Sequence, residues 1–248
     1  MGIFKNIFNK KEPLVPFSLS GFNADIHSHL IPGIDDGAKT MEDSLILAQG
    51  LVDLGYNKVV TTPHIMSDYY KNNPEIIRSG LNNLNAELSK ANIDLEIIAA
   101  AEYYIDFEFL DRIDKEELLT FGDNYVLVEC SFIESPRGLK ESLFKLQTNG
   151  YKPVLAHPER YGYWHNNFAV YEELKNRDIL FQVNILSLVG IYSPNVAKIA
   201  EQLINQNMVE WLGTDLHNEY QLGMLKNLVL KQGLIEKING LDLLNKTL

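Results

Sequence analysis

Histidines and carboxylates follow the ends of several apolar segments in this chain. All but one of its six histidines come within a few residues of the end of a predicted strand: His27, His29, His64, His157 and His217. Two further apolar segments end in Glu102 and Glu129. In a parallel barrel these ends open on one face, where active sites are built, so we expect the side chains to share one cavity.

The spacing of these residues favours a site for divalent cations. In His27-x-His29 both imidazoles leave an extended strand on the same face, because strand side chains repeat every two residues. Asp215-x-His217 repeats this arrangement with one carboxylate, and Asp36 follows His27 in a loop bounded by glycines. The sequence therefore predicts a clamp of imidazoles and carboxylates around metal ions.

The predicted ligand set exceeds the roughly four ligands of one tetrahedral site and suits two or three ions that share carboxylates. The predicted ligands are His27, His29, Asp36, His64, Glu102, Glu129, His157, Asp215 and His217. Imidazole and carboxylate without thiolate point to Mn, Fe or Zn. Cys130 is the next residue after Glu129 on the same strand and faces the opposite way, so we predict that it packs in the core.

Short apolar runs alternate with longer amphipathic stretches from residue 22 onward. The predicted strands are 23–26, 58–62, 95–100, 125–129, 153–156, 180–184 and 209–213. The predicted helices are 41–54, 74–91, 139–149, 168–175 and 194–206. Such strands are typical of a parallel sheet covered on both faces. The repeated units predict an α/β protein with a closed or nearly closed barrel, and an open doubly wound sheet is the alternative.

Composition narrows the class of protein. The chain has 248 residues, of which 46% are hydrophobic and 22% charged, and this is typical of a globular protein. Its net charge of -11 argues against nucleic acid as a partner, because phosphate backbones are held by clustered Lys and Arg. A single cysteine excludes an internal disulfide and, with no apolar run of the roughly 18 residues that span a membrane, predicts a cytoplasmic protein.

The first twenty residues differ from the rest. Residues 1–20 combine Ile3, Phe4, Ile7 and Phe8 with lysines and prolines. We predict a leader there, either a mobile segment or an amphipathic helix that touches a membrane or a partner. Contact with a membrane is expected only through this leader. Residues 21–248 are predicted to form one domain.

Seven motifs occur in the order DIHSHLIPGIDDGAKTMEDS, TTPHI, AAEYY, VLVECS, LAHPERY, QVN and GTDLHN. Together they resemble the PHP (polymerase and histidinol phosphatase) superfamily. Within it they are most similar to the bacterial protein-tyrosine phosphatases of capsule and exopolysaccharide loci, the CpsB/YwqE group. The resemblance runs from Asp25 to the C-terminus and so covers all but the leader.

This resemblance implies a distorted seven-stranded (β/α) TIM-like barrel with a trinuclear, usually manganese-type centre at the C-terminal face of its strands. Carried over position by position, the family's ligands fall on the same nine residues. Arg160 matches a family arginine that grips the substrate phosphate. The implied substrate and partner is a bacterial tyrosine kinase, phosphorylated on tyrosine in its tail, that controls polysaccharide export.

The sequence departs from some relatives just after His64 and His217, where residues 65–70 and 218–222 contain no Arg or Lys. We therefore predict that Arg160 and the metals hold the phosphate, with Arg137 as a second cation. Aromatic residues cluster beside the motifs, and Tyr69 and Tyr104 are predicted to stack on the phosphotyrosine ring.

The predicted mechanism is attack on phosphorus by a hydroxide that bridges two ions, because a metal-bound water loses its proton near neutral pH. Arg160, Asp215 and His217 are the predicted catalytic residues. The arginine stabilises charge on the phosphoryl oxygens, and the phenolate leaves either onto a metal or with a proton from a His or Asp side chain. A phosphocysteine intermediate is not expected, because no arginine follows Cys130 at the C-x5-R spacing.

Three other functions are alternatives to a tyrosine phosphatase. A small-molecule phosphatase of the same superfamily, acting for example on histidinol phosphate, would use the same centre with a different pocket. A nuclease is disfavoured by the net charge of -11. A metal-stabilised module that only binds kinase tails would require an incomplete ligand set.

Overall fold

The computed structural model describes residues 12–115 and 118–248. Its helices are α1 (Met41–Asp53), α2 (Pro74–Ala91), α3 (Phe109–Lys115), α4 (Leu139–Thr148), α5 (Ala169–Lys175), α6 (Pro194–Asn205), α7 (Glu219–Lys226) and α8 (Gln232–Asn239). All five predicted helices are confirmed within two residues at each end. Their limits follow from local signals: Thr40 and Asp43 form a capping box at α1, and Pro74 occupies the first turn of α2.

The strands form three sheets. They are β1 (Leu14–Pro16), β2 (Ala24–Asp25), β3 (Lys58–Thr61), β4 (His64–Ile65), β5 (Glu96–Ala99), β6 (Glu102–Tyr104), β7 (Tyr125–Glu129), β8 (Lys152–Ala156), β9 (Leu180–Asn184), β10 (Trp211–Gly213) and β11 (Val229–Lys231). One sheet has the order β10-β9-β8-β7-β6-β4 and a second the order β2-β3-β5, and both are parallel. The predicted parallel α/β architecture is therefore confirmed. Strands β4 and β6 lie just beyond the predicted strands 58–62 and 95–100 and were not predicted.

The two parallel sheets follow one another along the chain. Residues 62–63 separate β3 from β4, and residues 100–101 separate β5 from β6. On the far side, Ser28 and Leu216 form a parallel bridge, and the Thr214 hydroxyl donates a 2.6 Å hydrogen bond to Asp25. These contacts bring the carboxyl ends of the strands in both sheets to one face.

Apolar residues pack on both sides of the strands. The large core cluster lies between the strands and the helices. A smaller cluster contains Ile26, Val60, Leu127, Val154 and Trp211, which come from five different strand segments. Burial on both faces explains why the strands read as continuous apolar runs.

The structure describes part of the predicted leader, residues 12–20. Strand β1 pairs antiparallel with β11, and Phe17 and Leu19 are buried in the large core cluster. Residues 14–20 therefore belong to the folded unit, because their backbone and apolar side chains find partners near the C-terminus. Residues 1–11, which hold most of the predicted amphipathic pattern, lie outside the described residues. Within the described part of the chain, no helix is both long and apolar enough to cross a membrane.

Candidate metal centre

All nine predicted ligands come together at the carboxyl ends of the strands. They form four overlapping groups, in each of which the candidate ligand atoms lie within 4.8 Å of one another. The groups are His29–Asp36–His64–His217, His27–His29–Asp215, His27–Glu102–His157 and His64–Glu102–Glu129. Because members are shared, the groups join into one site that borders a cavity of about 280 Å³.

Two of these residues depart from ordinary backbone geometry. His157 and Asp215, each just beyond a strand, have φ angles of 34° and 51°. This left-handed region is rarely occupied by residues other than glycine, and it is found where surrounding structure enforces it, often at functional sites. Here the backbone turns at the strand ends beside the cavity.

Glu102 lies at the centre of the cluster and has no solvent exposure. Its Oε2 is 3.1 Å from His27 Nε2 and 3.2 Å from His64 Nδ1, and its Oε1 is 3.0 Å from His157 Nε2. A carboxylate with both oxygens directed at imidazoles of different groups is suited to bridging two cations.

The outer nitrogens of the first two histidines are held by other side chains. His27 Nδ1 is 2.8 Å from Gln182 Oε1, and His29 Nδ1 is 2.8 Å from Asp35 Oδ2. Such partners fix the tautomer and leave Nε2 of each ring for a metal. Neither Gln182 nor Asp35 was predicted from the sequence to take part in the site, although Asp35 is adjacent to the predicted ligand Asp36.

Asp215 is also held from outside the cluster. Its Oδ2 accepts hydrogen bonds from Asn184 Nδ2 at 2.6 Å and from Arg160 Nη1 at 3.0 Å, whereas its Oδ1 is 3.3 Å from His27 Nε2. Asn184 in turn accepts a bond from Gln182. Polar residues at alternate positions of the otherwise apolar strand β9 were the available signal for this network.

The donor atoms suit a cation better than they suit one another. His29 Nε2 is buried and lacks a hydrogen-bond partner among the described residues, although Glu102 and Asp215 oxygens lie 3.5 Å away. His64 Nδ1 faces two carboxylates at once, with Glu129 Oε1 2.8 Å away and Glu102 Oε2 3.2 Å away. Convergent imidazole nitrogens and carboxylate oxygens in a buried site are what divalent metal ions bind.

Electrostatics lead to the same conclusion. Burial by itself would lower the pKa of His29, but the carboxylates around it, led by Asp35, raise that pKa to about 10. His64 also has a raised pKa, because Glu102 and Glu129 outweigh its burial. Burial and the charge of Glu102 raise the pKa of Glu129. The carboxylates therefore draw positive charge into the site, and a divalent cation would displace the protons from the histidines.

The predicted substrate-binding residues are only partly brought together. Arg160 borders the cavity, and so do Phe132 and Tyr192, which the sequence analysis did not assign. Arg137 lies instead in a separate pocket with Lys140 and Trp164. Tyr69 is 80% exposed and Tyr104 is partly buried, and neither is among the described residues that line the metal cavity.

Cys130 is buried, as predicted, and burial together with the charge of Glu129 raises the pKa of its thiol. A neutral buried thiol is a poor nucleophile. We therefore expect Cys130→Ser to retain activity within about twofold. We also expect a thiol reagent to label the native protein slowly and the urea-unfolded protein completely. Rapid labelling of the native protein with parallel loss of activity would contradict this.

Comparison with known proteins agrees with this geometry. A family model described as "Capsular polysaccharide synthesis, CpsB/CapC" matches residues 23–223. The chain belongs to this family. It is 33% identical over 195 residues to the tyrosine-protein phosphatase YwqE of Bacillus subtilis, covering 78% of this chain and 77% of YwqE. It is 29% identical over 197 residues to the putative tyrosine-protein phosphatase CapC of Staphylococcus aureus, covering 78% and 76% of the two chains.

A solved structure of the CpsB/CapC family has the same fold. It is one of the crystal structures of YwqE from Bacillus subtilis and CpsB from Streptococcus pneumoniae, which are described as unique metal-dependent tyrosine phosphatases. It superposes with a TM-score of 0.77 at 28% identity and covers 90% of both chains. The resemblance found in the motifs is thus confirmed, and relatives with this fold are metal-dependent tyrosine phosphatases.

Proposed function

We propose that this CpsB/CapC-family protein is a metal-dependent protein-tyrosine phosphatase. The observation that carries the proposal is the candidate metal site, where nine imidazole and carboxylate side chains meet beside a cavity that Arg160 also lines. Metal ligands and one phosphate-binding cation on a shared wall are the components of a phosphomonoesterase. The family relationship supports phosphotyrosine as the substrate.

The proposed cofactors are two or three divalent ions, with Mn²⁺ favoured and Fe or Zn as alternatives. The four groups around Glu102 would hold them, and Asp36 and His217 would complete the ligand set at the mouth of the cavity. Bound ions would supply an activated water as nucleophile and Lewis-acid stabilisation of the phosphoryl oxygens.

Three side chains have separate proposed roles in the reaction. Arg160 binds the phosphoryl oxygens through the planar fork of its guanidinium, which matches two oxygens at once. Asp215 serves as ligand and as anchor for that arginine, and it stays charged because His27 and His217 outweigh its burial and keep its pKa far below the usual range. His217, whose Nδ1 lies 2.9 Å from the Asp215 carbonyl oxygen, would hold a metal ion through Nε2, and the leaving phenolate would take its proton from water.

The surface around the cavity favours a protein as the substrate. Four large apolar side chains are 74–89% exposed, three on loops that follow β4, β6 and β7 and one in the first turn of α7, which follows β10. They are Tyr69, Phe107, Ile133 and Tyr220. Exposed apolar groups on loops at a site are typical of surfaces that bind polypeptide. The proposed partner is a phosphorylated bacterial tyrosine kinase of polysaccharide export, supported by the family's role in capsule synthesis.

The finer points of fold and location are part of the same proposal. We interpret the two parallel sheets as a distorted seven-stranded TIM-like barrel, in which β3 continues into β4 and β5 into β6. The bridge between Ser28 and Leu216 supports closure of the ring. A single domain that includes residues 14–248 and a cytoplasmic location, supported by one buried free thiol, complete the picture.

The deciding experiment compares a phosphotyrosine peptide with histidinol phosphate, each with Mn²⁺ and with a chelator. We expect release of phosphate from the peptide that requires Mn²⁺, disappears with chelator and returns when the metal is restored. A phosphoserine peptide serves as the control for the aromatic leaving group. Preference for histidinol phosphate, or no hydrolysis of either substrate by metal-loaded protein, would contradict the proposal.

A further inference from the structure

The guanidinium of Arg160 contacts two aromatic rings. Its guanidinium carbon lies 4.5 Å from the centre of the Phe132 ring and 4.1 Å from the centre of the Tyr192 ring. The three residues come from different parts of the chain: Phe132 follows β7, Arg160 ends a short helical turn after β8, and Tyr192 precedes α6. Both rings are well within the distance at which a cation is attracted to an aromatic face.

These two contacts restrict how the guanidinium meets other groups. The two rings take up space beside the guanidinium, so polar partners reach it along the N–H edges that the rings leave free. One edge is already engaged, since Nη1 donates to Asp215 Oδ2 at 3.0 Å. The in-plane edges are those that bind phosphate oxygens, two at a time.

Arg160 is the basic side chain that the cavity offers to a phosphate group. Among the described residues that line it, Arg160 is the one Lys or Arg. Residues 65–70 and 218–222 supply none from their sequences. Phosphate binding by protein side chains therefore depends on where this single guanidinium is held.

We propose that Phe132 and Tyr192 are positioning residues that hold Arg160 in the orientation in which it binds the phosphoryl group. The inference rests on the proposed role of Arg160 in the phosphatase. Neither aromatic residue is explained by core packing alone, since Phe132 is 47% exposed and Tyr192 is only partly buried. The Tyr192 hydroxyl accepts one long hydrogen bond, 3.4 Å, from Asn184 Nδ2, so the ring is its principal contribution.

The test measures binding of inorganic phosphate to Mn²⁺-loaded protein by isothermal titration calorimetry, with metal content determined for each variant. We expect Phe132→Ala and Tyr192→Ala each to weaken phosphate binding about tenfold, the size of a cation–π contact that is partly shielded from water. Phe132→Tyr and Tyr192→Phe keep the rings and should stay within about twofold of the wild type. Phe144→Ala on α4, 63% exposed in the wild type, is the matched control.

Two further variants separate positioning from simple packing. Phe132→Leu keeps an apolar side chain without a ring, and we expect it to lose as much affinity as Phe132→Ala. In an Arg160→Ala background the alanine substitutions should have no additional effect, because the rings act through the arginine. Unchanged affinity in both alanine variants, rescue by leucine, or an equal loss without Arg160 would each overturn the proposal.

Phosphate binding also keeps this inference distinct from the proposed function. If the enzyme hydrolyses another phosphomonoester, the proposed function fails in the substrate assay, while phosphate affinity still tests the role of Phe132 and Tyr192. If phosphotyrosine is hydrolysed but the aromatic variants bind phosphate normally, only the positioning role of the two rings is wrong. Wild-type protein that fails to bind phosphate when loaded with Mn²⁺ would also overturn it.

Discussion

Glu102→Gln is expected to abolish phosphotyrosine hydrolysis and to remove at least one metal ion per chain. The wild-type carboxylate directs one oxygen at His27 and His64 and the other at His157. Glutamine has the same shape but no charge and a single acceptor oxygen, so it cannot bridge cations. Losing several kcal/mol of Lewis-acid stabilisation corresponds to about 10³-fold or more in rate. Metal per chain by mass spectrometry and hydrolysis of a phosphotyrosine peptide measure both effects.

The chain offers a matched control for Glu102. Glu96 lies at the start of β5, the strand segment just before β6, and its exposed carboxylate pairs with Lys58 at 3.0 Å. We expect Glu96→Gln to keep full metal content and activity, because exposed ion pairs contribute little to stability. Wild-type activity and metal content in Glu102→Gln would show that the centre is not built around this carboxylate.

Arg160→Ala is expected to lower kcat/KM for the phosphotyrosine peptide by about 10²- to 10³-fold, as removal of a charge-stabilising donor does in other enzymes. Metal content should not change. The ligands are all retained, and Asn184 continues to hold Asp215 through its 2.6 Å hydrogen bond. Steady-state kinetics at saturating Mn²⁺, with metal content measured in parallel, separate the two effects.

Substitution by lysine refines this expectation. Arg160→Lys restores charge but not the planar fork, and it should recover only part of the lost activity. Arg177→Ala is the matched control, because that guanidinium is exposed and its 3.1 Å bond to Glu173 joins it to a neighbouring turn of α5. Wild-type kcat/KM in Arg160→Ala would show that the metals bind phosphate without help from this side chain.

The sequence around the site makes these expectations sharper. With no Lys or Arg in residues 65–70 and 218–222, substitution of Arg160 is not compensated by a cation in either stretch. The nearest predicted substitute, Arg137, lies in a different pocket. A large effect from one arginine is therefore a specific consequence of this sequence.

Much of the site could be predicted before the fold was known. Strand periodicity placed His27 and His29 on one face, and the parallel arrangement placed the residues after each strand on one edge of the sheet. These are regular, local properties, so the positions of nine residues along the chain were enough to predict which side chains converge. The order of the motifs along the chain likewise predicted the family.

Contacts between distant parts of the chain could not be predicted in this way. Which of Asp35 and Asp36 orients His29 is decided by the turn between Gly33 and Gly37, where Asp35 also accepts a bond from the Gly37 amide. Strand β1 lies within the predicted leader, and its partner β11 is more than 200 residues away. Neither partner carries a signal of the pairing in its own stretch of sequence.

The sequence by itself determined the chemical composition of the metal centre and the order in which strands deliver it. The tertiary structure alone decided how those groups are oriented: Gln182 and Asp35 behind the histidines, left-handed backbone at His157 and Asp215, and the rings of Phe132 and Tyr192 around Arg160. Periodicity specifies which face a side chain leaves, whereas its partner depends on packing between segments far apart in the chain.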